Sequence, residues 1–168
     1  MIYRIPNSSE PLEQGDIIES CPIMSMPDPA PSALADLKAH IDFQTVIIIT
    51  QTCDIANSKS NVVVVALVFN ANELIELGTL KASEVKGNIR SHRVWGLYFL
   101  PANDDSGMEE MLVDLRRLYT INTSVLQQLR VAECRRARLL TPYREHMAKH
   151  FADTYSRIAL PQPYETLP

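Results

Sequence analysis

The chain has 168 residues, of which 46% are hydrophobic and 21% are charged, and its net charge at pH 7 is −4. This composition excludes a wholly disordered chain, because disorder requires low hydrophobicity together with a high net charge, and the length fits one domain over residues 1–168. The longest strongly apolar runs, residues 46–49 and 62–69, are shorter than the ~20 residues of a membrane-spanning helix. We therefore expect no membrane segment.

The cysteines and the N-terminal residues favour a cytoplasmic protein. Cys21, Cys53 and Cys134 are too few and too scattered for a disulfide framework, which predicts a reducing compartment. Residues 1–6 lack the basic start and the apolar core of a signal peptide.

Charge is distributed unevenly along the chain. Residues 1–125 carry a net charge of −7 and residues 126–160 carry +4. Because arginine pairs with carboxylates and phosphates and is enriched at interfaces, we expect a contact surface in the basic segment. Its expected partner is a second copy or the protein's own acidic body, then an acidic partner protein, and last a nucleic acid; solvent exposure without a partner is the alternative. The predicted contact residues are Arg130, Arg135, Arg136 and Arg138.

Short β-branched runs separated by turns dominate the first half of the chain. Residues 46–50 are β-branched without interruption, which fits a strand buried on both faces. A polar turn joins this strand to a second such run, which favours an antiparallel pair. The predicted elements are strands at 17–24, 46–50 and 62–69 and helices at 33–40 and 70–85, the latter weakened or divided at Gly78.

The second half begins with an aromatic-rich strand. The further predicted elements are a strand at 93–101, two short strands at 111–115 and 117–121 or one strand with a bulge, and helices at 123–129 and about 141–159. The last helix begins at Thr141-Pro142 with a capping hydroxyl and a proline at the first helical position. Its apolar stripe consists of Tyr143, Met147, Phe151, Tyr155 and Ile158.

The spacing of these elements argues against a parallel sheet, which requires regular alternation of strands and helices. We predict a mainly β, α+β fold. It consists of a small curled sheet or barrel over about residues 14–130, with inserted helices and an amphipathic helix at the C-terminal end.

The polar residues after the first buried strand are the strongest candidates for catalysis. Thr52, Cys53 and Asp54 follow a strand end, where functional groups are usually found. A thiol beside a carboxylate needs a nearby base or cation, because negative charge raises the thiol pKa. His40, His92 and Arg93 are the candidate partners, and we expect His92 and Arg93 on a strand beside this loop. Alternatively, Cys53 is a small core residue and Asp54 caps the next turn.

No metal and no cofactor are expected. His146 and His150 have an i, i+4 spacing that can hold a metal, but the metalloprotease pattern has a glutamate where this chain has Met147. The five glycines form neither a GxGxxG nor a GxxxxGK phosphate loop. The aromatic side chains of the strand at 93–101 are predicted to be core residues rather than base-stacking ones.

The order of these pieces resembles the MazF/PemK-like family, small SH3-like barrels that include toxin ribonucleases. The Gly-Asp-Ile start at residues 15–17, the buried strand that leads to a polar loop, and the strand at 62–68 occur in the family's order. The resemblance implies an SH3-like barrel, a role in a bacterial toxin–antitoxin or defence system, and RNA among the partners. The chain also resembles small bacterial proteins of unassigned function that share the Thr-Pro-Tyr-Arg-Glu-His helix at 141–146.

One departure separates the chain from the ribonucleases of that family. They have an Arg-Pro pair before the buried strand, and this arginine helps to cleave the phosphodiester, whereas residues 44–45 here are Gln and Thr. We therefore expect a binding or regulatory component that acts with a partner protein or a second copy. One alternative is a divergent endoribonuclease that uses Thr52, Asp54 and an arginine from residues 90–93. The other is a cysteine-dependent enzyme centred on Cys53.

Overall fold

A computed structural model describes residues 1–26, 32–132 and 136–156 of the chain. Its strands are β1 Tyr3–Arg4, β2 Asp16–Ser25, β3 His40–Ile48, β4 Val62–Asn70, β5 Leu97–Leu100, β6 Met111–Asn122 and β7 Arg136–Leu139. Its α-helices are α1 Thr52–Ala56, α2 Ala71–Glu76, α3 Ala82–Glu84, α4 Thr123–Val131 and α5 Tyr143–Tyr155. A π turn, Val85–Ile89, follows α3.

The described strands form one antiparallel sheet in the order β1-β7-β2-β3-β4-β6-β5. The sheet curls until its two edges approach each other. The hydroxyl of Tyr3 in β1 donates to the carbonyl oxygen of Pro101, which directly follows β5, at 2.9 Å. The predicted β-rich α+β class is therefore confirmed, whereas closure into an SH3-like barrel stays a prediction.

Side chains alternate between the two faces of the sheet, and both faces are apolar. In β3, Ile47 belongs to the cluster that includes Met147 of α5, while Val46 and Ile48 belong to the cluster that includes Leu126 of α4. All five side chains are fully buried. The uninterrupted β-branched run of β3 thus reflects a strand covered on both sides, as the sequence predicts.

Strand β7 is fixed to the start of β2 by a buried ion pair. Nε and Nη2 of Arg138 donate to the two carboxylate oxygens of Asp16 at 2.5 and 2.9 Å. Asp16 is 0% and Arg138 2% exposed, and the two residues face each other in the β2–β7 ladder. Nη1 of Arg138 donates to the Glu13 carboxylate, and Nη2 also donates to the carbonyl oxygen of Pro11. Both charges are therefore paired and hydrogen-bonded, as burial requires.

The prediction of a helix at residues 33–40 is wrong. Residues Leu34–Asp36 form a single 3-10 turn, and β3 already begins at His40. Ladder pairing decides this local structure, because His40 pairs with Ser25 at the far end of β2 and so belongs to the sheet. Pro27, Pro29 and Pro31, whose spacing predicts an extended loop before this turn, lie outside the described residues.

Two predictions that left alternatives open are decided by the structure. The helical stretch at 70–85 is divided, as one alternative predicts, because Gly78 with φ +71 lies in the turn between α2 and α3. The stretch at 111–121 is one strand, β6, with a register shift between Ala66 and Leu67 of β4, which is the predicted alternative with a bulge. Two element starts differ from the prediction. The aromatic strand begins at Leu97. The last helix begins at Tyr143, since the hydroxyl of Thr141 donates to the Glu145 carboxylate rather than capping a backbone N–H.

Only part of the predicted α5 stripe packs into the core. Met147 is 0% exposed, and Phe151 packs partly buried against the same cluster. Tyr143 and Tyr155 are exposed. Ile158 lies outside the described residues.

Replacing Arg138 with Met should lower the free energy of unfolding by about 3–5 kcal/mol, because Asp16 would keep a buried charge without its partner. Chemical denaturation measures this loss. Arg93→Met is the matched control: Arg93 is exposed, so its loss should change stability by less than about 0.5 kcal/mol. Equal effects of the two substitutions would contradict the structural role of the buried pair.

Replacing Met147 with Ala should cost about 2–5 kcal/mol, the usual range for a truncated core side chain. Met24→Ala makes the same truncation at a position that is 61% exposed, and it should change stability by less than about 0.5 kcal/mol. Thermal unfolding of both variants tests whether α5 packs against the sheet. A Met147 variant as stable as the Met24 variant would show that α5 is not docked.

Candidate functional site

The first group of predicted catalytic residues lies in α1, immediately after the turn that ends β3. The hydroxyl oxygen of Thr52 accepts a hydrogen bond from the backbone N–H of Gln14 at 3.1 Å. The side-chain amide of Gln14 donates to the carbonyl oxygen of Ile49 at 2.7 Å. Thr52 therefore joins the loop before β2 to the end of β3, which is a structural contact between two chain segments.

Cys53 is exposed, and its neighbours offer it acceptors rather than a base. Its sulfur lies 3.7 Å from the side-chain oxygens of Gln51 and Asp54. Asp54 forms an ion pair with Lys59 at 2.5 Å, and this hydrogen bond lowers the pKa of the Asp54 carboxyl. A reactive thiol needs a nearby cation or base, and here Lys59 is engaged by Asp54.

His92 and Arg93 have other neighbours than this loop. His92 contacts rings of β5 and α5. The backbone N–H of Arg93 donates to the carbonyl oxygen of Asn88. In the described part of the chain, no hydrogen bond, ion pair or ring contact joins either residue to Cys53. The expected grouping of the two sets is therefore not formed by direct contact.

The structure places Arg136 and Arg138 inside the protein, where they contact the N-terminal segment of the same chain; of the partners that the sequence leaves open for these two residues, it shows the protein's own acidic body. Arg136 is 6% exposed and donates to backbone carbonyls of residues 7–10, and Arg130 donates to the same loop. The reason is that β7 lies between β1 and β2, so its guanidinium groups meet the N-terminal segment of the same chain. Arg135 lies outside the described residues.

A cluster of aromatic rings connects β5, α5 and the turn after the π turn. The ring of His92 stacks on Tyr98 with centroids 4.4 Å apart, and it lies 4.9 Å from His146 and 6.0 Å from His150. The hydroxyl of Tyr98 is 3.0 Å from Nδ1 of His146 and 3.3 Å from the carbonyl oxygen of Tyr143. Three imidazoles and a phenol therefore share one site.

The backbone at His92 has the left-handed conformation, with φ +55. Its N–H donates to the carbonyl oxygen of Ile89 at 2.9 Å, which turns the chain back toward β5. A residue other than glycine rarely adopts this conformation. Such strain persists where the surroundings hold it, and it is concentrated at functional segments.

The cluster favours uncharged side chains. Burial and, to a smaller extent, the neighbouring His146 and His150 together lower the pKa of His92 to about 4. Burial also raises the pKa of Tyr98 to about 12. Nδ1 of His92 and Nε2 of His150 are buried without a hydrogen-bond partner in the described structure. His92 and Tyr98 are therefore neutral at physiological pH.

A pocket of about 610 Å³ opens beside the cluster. Its apolar walls come from the N-terminal segment, β5, the end of β7 and the start of α5, and include Ile2, Phe99, Leu100, Leu139, Pro142 and Tyr143. The polar side chains that line it are Arg90, His92, Tyr98 and His146. A mostly apolar concavity with a few polar groups is typical of small-molecule sites.

The charged side chain at this pocket is already paired. The guanidinium of Arg90 forms an ion pair with Glu110, and it lies over the Phe99 ring at 4.9 Å from the centroid. Both contacts hold the guanidinium at the wall of the pocket. The pocket therefore offers hydrogen-bonding groups and apolar surface rather than an unpaired charge.

The sequence indicates some residues of this site but does not show that they lie together. The sequence indicates His92, but the expected position beside Cys53 is not formed by direct contact. The prediction that Tyr98 is a core residue is confirmed, since Tyr98 is 2% exposed in the main hydrophobic cluster, and its hydroxyl also reaches His146. The sequence marks His146 and His150 only by their i, i+4 spacing. That spacing was the signal available, because it puts two imidazoles on one helix face; their meeting with His92 is decided by the packing of α5.

Within residues 1–26, 32–132 and 136–156, no group of three or more His, Cys, Asp or Glu side chains is arranged to hold a metal ion. No helix in these residues is long and apolar enough to cross a membrane. Comparisons of the chain with models of protein families and with curated proteins find no match. The MazF/PemK-like resemblance therefore stays a prediction.

Stability should fall as the pH is lowered from 6.5 toward 4, because the unfolded chain protonates His92 near 6.5 whereas the folded chain does so only near 4. His92→Asn removes this contribution, and asparagine tolerates a positive φ. Thermal unfolding at neutral pH and near pH 4 should show a smaller loss for this variant than for the unaltered chain. His40→Asn, at an exposed histidine of β3, is the control. An identical loss in the unaltered chain and in His92→Asn would contradict the prediction.

Proposed function

We propose that this protein is a binding or regulatory component whose ligand site is the pocket beside the histidine cluster. The observation that carries the proposal is the composition of the pocket: apolar walls from four chain segments around a few polar rings. The residues of the cluster are held by packing and by hydrogen bonds from β5 and α5. A site built on such elements is preorganised for binding.

Two observations favour binding over the enzymatic alternatives. The ribonuclease alternative needs an arginine beside Thr52 and Asp54 to stabilise charge on the phosphate. Arg90 is paired with Glu110, and in the described residues no hydrogen bond or ion pair joins Arg93 to Thr52 or Asp54. A cysteine enzyme needs a base near Cys53, whose described neighbours are the side-chain oxygens of Gln51 and Asp54.

The biological setting is proposed from the order of the predicted strands and loops in the sequence. By its resemblance to MazF/PemK-like barrels, the component would belong to a toxin–antitoxin or defence system and would act in the cytoplasm. A partner protein or a second copy would receive the regulatory signal, and RNA is the further partner that the resemblance suggests.

A substitution that fills the pocket, combined with binding of an apolar probe, tests the proposal. Toluene is an apolar probe, and at ten times its Kd it should stabilise the protein by about 1.4 kcal/mol, which raises the Tm by about 3–6 °C for a chain of this size. Ile2→Trp puts a larger side chain at the pocket wall and should abolish this shift. Ile5→Trp makes the same change at an exposed position of the same segment and should leave the shift intact. No saturable shift in the unaltered chain, or an equal shift in the Ile2 variant, would refute the proposed site.

A further inference from the structure

We infer that the pocket takes an uncharged aromatic ligand that donates a hydrogen bond to Nε2 of His146. The inference rests on the proposed function, because it names the class of ligand for the same pocket. It depends on three properties of the lining side chains: their rings, their charge and the hydrogen-bonding state of one imidazole.

The rings favour an aromatic ligand. Phe99 and Tyr143 line the apolar part of the pocket, and His92, Tyr98 and His146 line the polar part. Aromatic rings prefer offset-stacked or edge-to-face neighbours, and five rings around one concavity offer both arrangements to a planar ligand. The volume of about 610 Å³ lies within the range of sites for drug-sized molecules.

The charges favour an uncharged ligand. An anion would need a free cation, but His92 is uncharged at neutral pH, with a pKa of about 4, and Arg90 is paired with Glu110. A cation would need a carboxylate, and the described residues that line the pocket include none. Burial of a charge without a partner is costly, so a neutral molecule is favoured.

The hydrogen bonds of Tyr98 determine which nitrogen of His146 is the acceptor. The Tyr98 hydroxyl can make both contacts as hydrogen bonds only when its single hydrogen is donated to the carbonyl oxygen of Tyr143, because a carbonyl oxygen can only accept, and we assign this arrangement. In the 3.0 Å contact with His146, Nδ1–H is then the donor and the Tyr98 oxygen the acceptor. In the uncharged imidazole, Nε2 consequently carries a lone pair. His146 is exposed and lines the pocket, so a ligand donor can reach it.

The test uses three probes of similar size, with Kd values measured by NMR titration of the full chain at neutral pH. These are p-cresol, 4-methylanisole, in which a methyl group replaces the hydroxyl hydrogen, and 4-methylbenzoate. We expect p-cresol to bind on the order of 3- to 10-fold more tightly than 4-methylanisole, the equivalent of one net hydrogen bond. We expect 4-methylbenzoate to bind more weakly than p-cresol.

Equal Kd values for p-cresol and 4-methylanisole, or tighter binding of 4-methylbenzoate than of p-cresol, would overturn the inference. Toluene distinguishes this failure from failure of the proposed function, because the apolar pocket would still bind toluene. If toluene does not bind either, the proposed site itself is wrong.

A substitution and a spectroscopic measurement test the role of His146 itself. His146→Phe keeps an aromatic ring but removes Nε2, so the preference for p-cresol should disappear while 4-methylanisole still binds. His40→Phe, the same change at an exposed histidine of β3, should keep the preference. Should His146→Phe fail to fold, ¹⁵N NMR of the unaltered chain reports the tautomer directly. Protonation of His146 at Nδ1 supports the inference, and the Nε2–H tautomer overturns it.

Discussion

The buried ion pair between Asp16 and Arg138 is the constraint on which the N-terminal segment, β7 and α5 depend. Both charges are removed from water, so they are stabilised by each other, by the neighbouring charges of Glu13 and Arg136, and by the hydrogen bonds around them. The pair keeps β7 beside the start of β2, and β1 then pairs with the outer edge of β7. The N–H of Leu140 donates to the carbonyl oxygen of Ile2, immediately before α5. The two walls of the pocket formed by the N-terminal segment and by the end of β7 therefore depend on this ion pair.

Helix α5 connects the hydrophobic core to the pocket. Met147 is fully buried in the main cluster, and one residue earlier His146 lines the pocket and contacts Tyr98. At the start of the helix, Arg144 forms an ion pair with Glu13. The same carboxylate also forms an ion pair with Arg138. Close-packed interiors transmit small displacements. The packing of Met147 in the core therefore sets the position of the His146 imidazole, which lies on the same helix. The stability of the core and the geometry of the pocket are thus coupled.

The sequence alone determined the fold class and the features that depend on local patterns. The uninterrupted apolar runs became β3 and β4, and the stretch at 111–121 became one strand with a bulge. Gly78 divided the helical stretch where its conformational freedom predicts a turn. The uneven charge also had a physical meaning, since the acidic and basic parts of the chain pair with each other through Glu13, Asp16 and Arg138. Periodicity and turn chemistry act over a few residues, so they are visible in the sequence.

Only the tertiary structure decided where β7 lies and which residues form the candidate site. A four-residue segment with two arginines does not resemble a buried strand, because hydropathy cannot show that Asp16 lies opposite Arg138. The sequence identified His92 and the i, i+4 histidines separately, but more than fifty positions separate His92 from His146. They meet because the curled sheet and the docking of α5 bring β5 and the helix together. Contacts of this kind depend on burial and on the pairing of distant charges, which no local pattern of residues specifies.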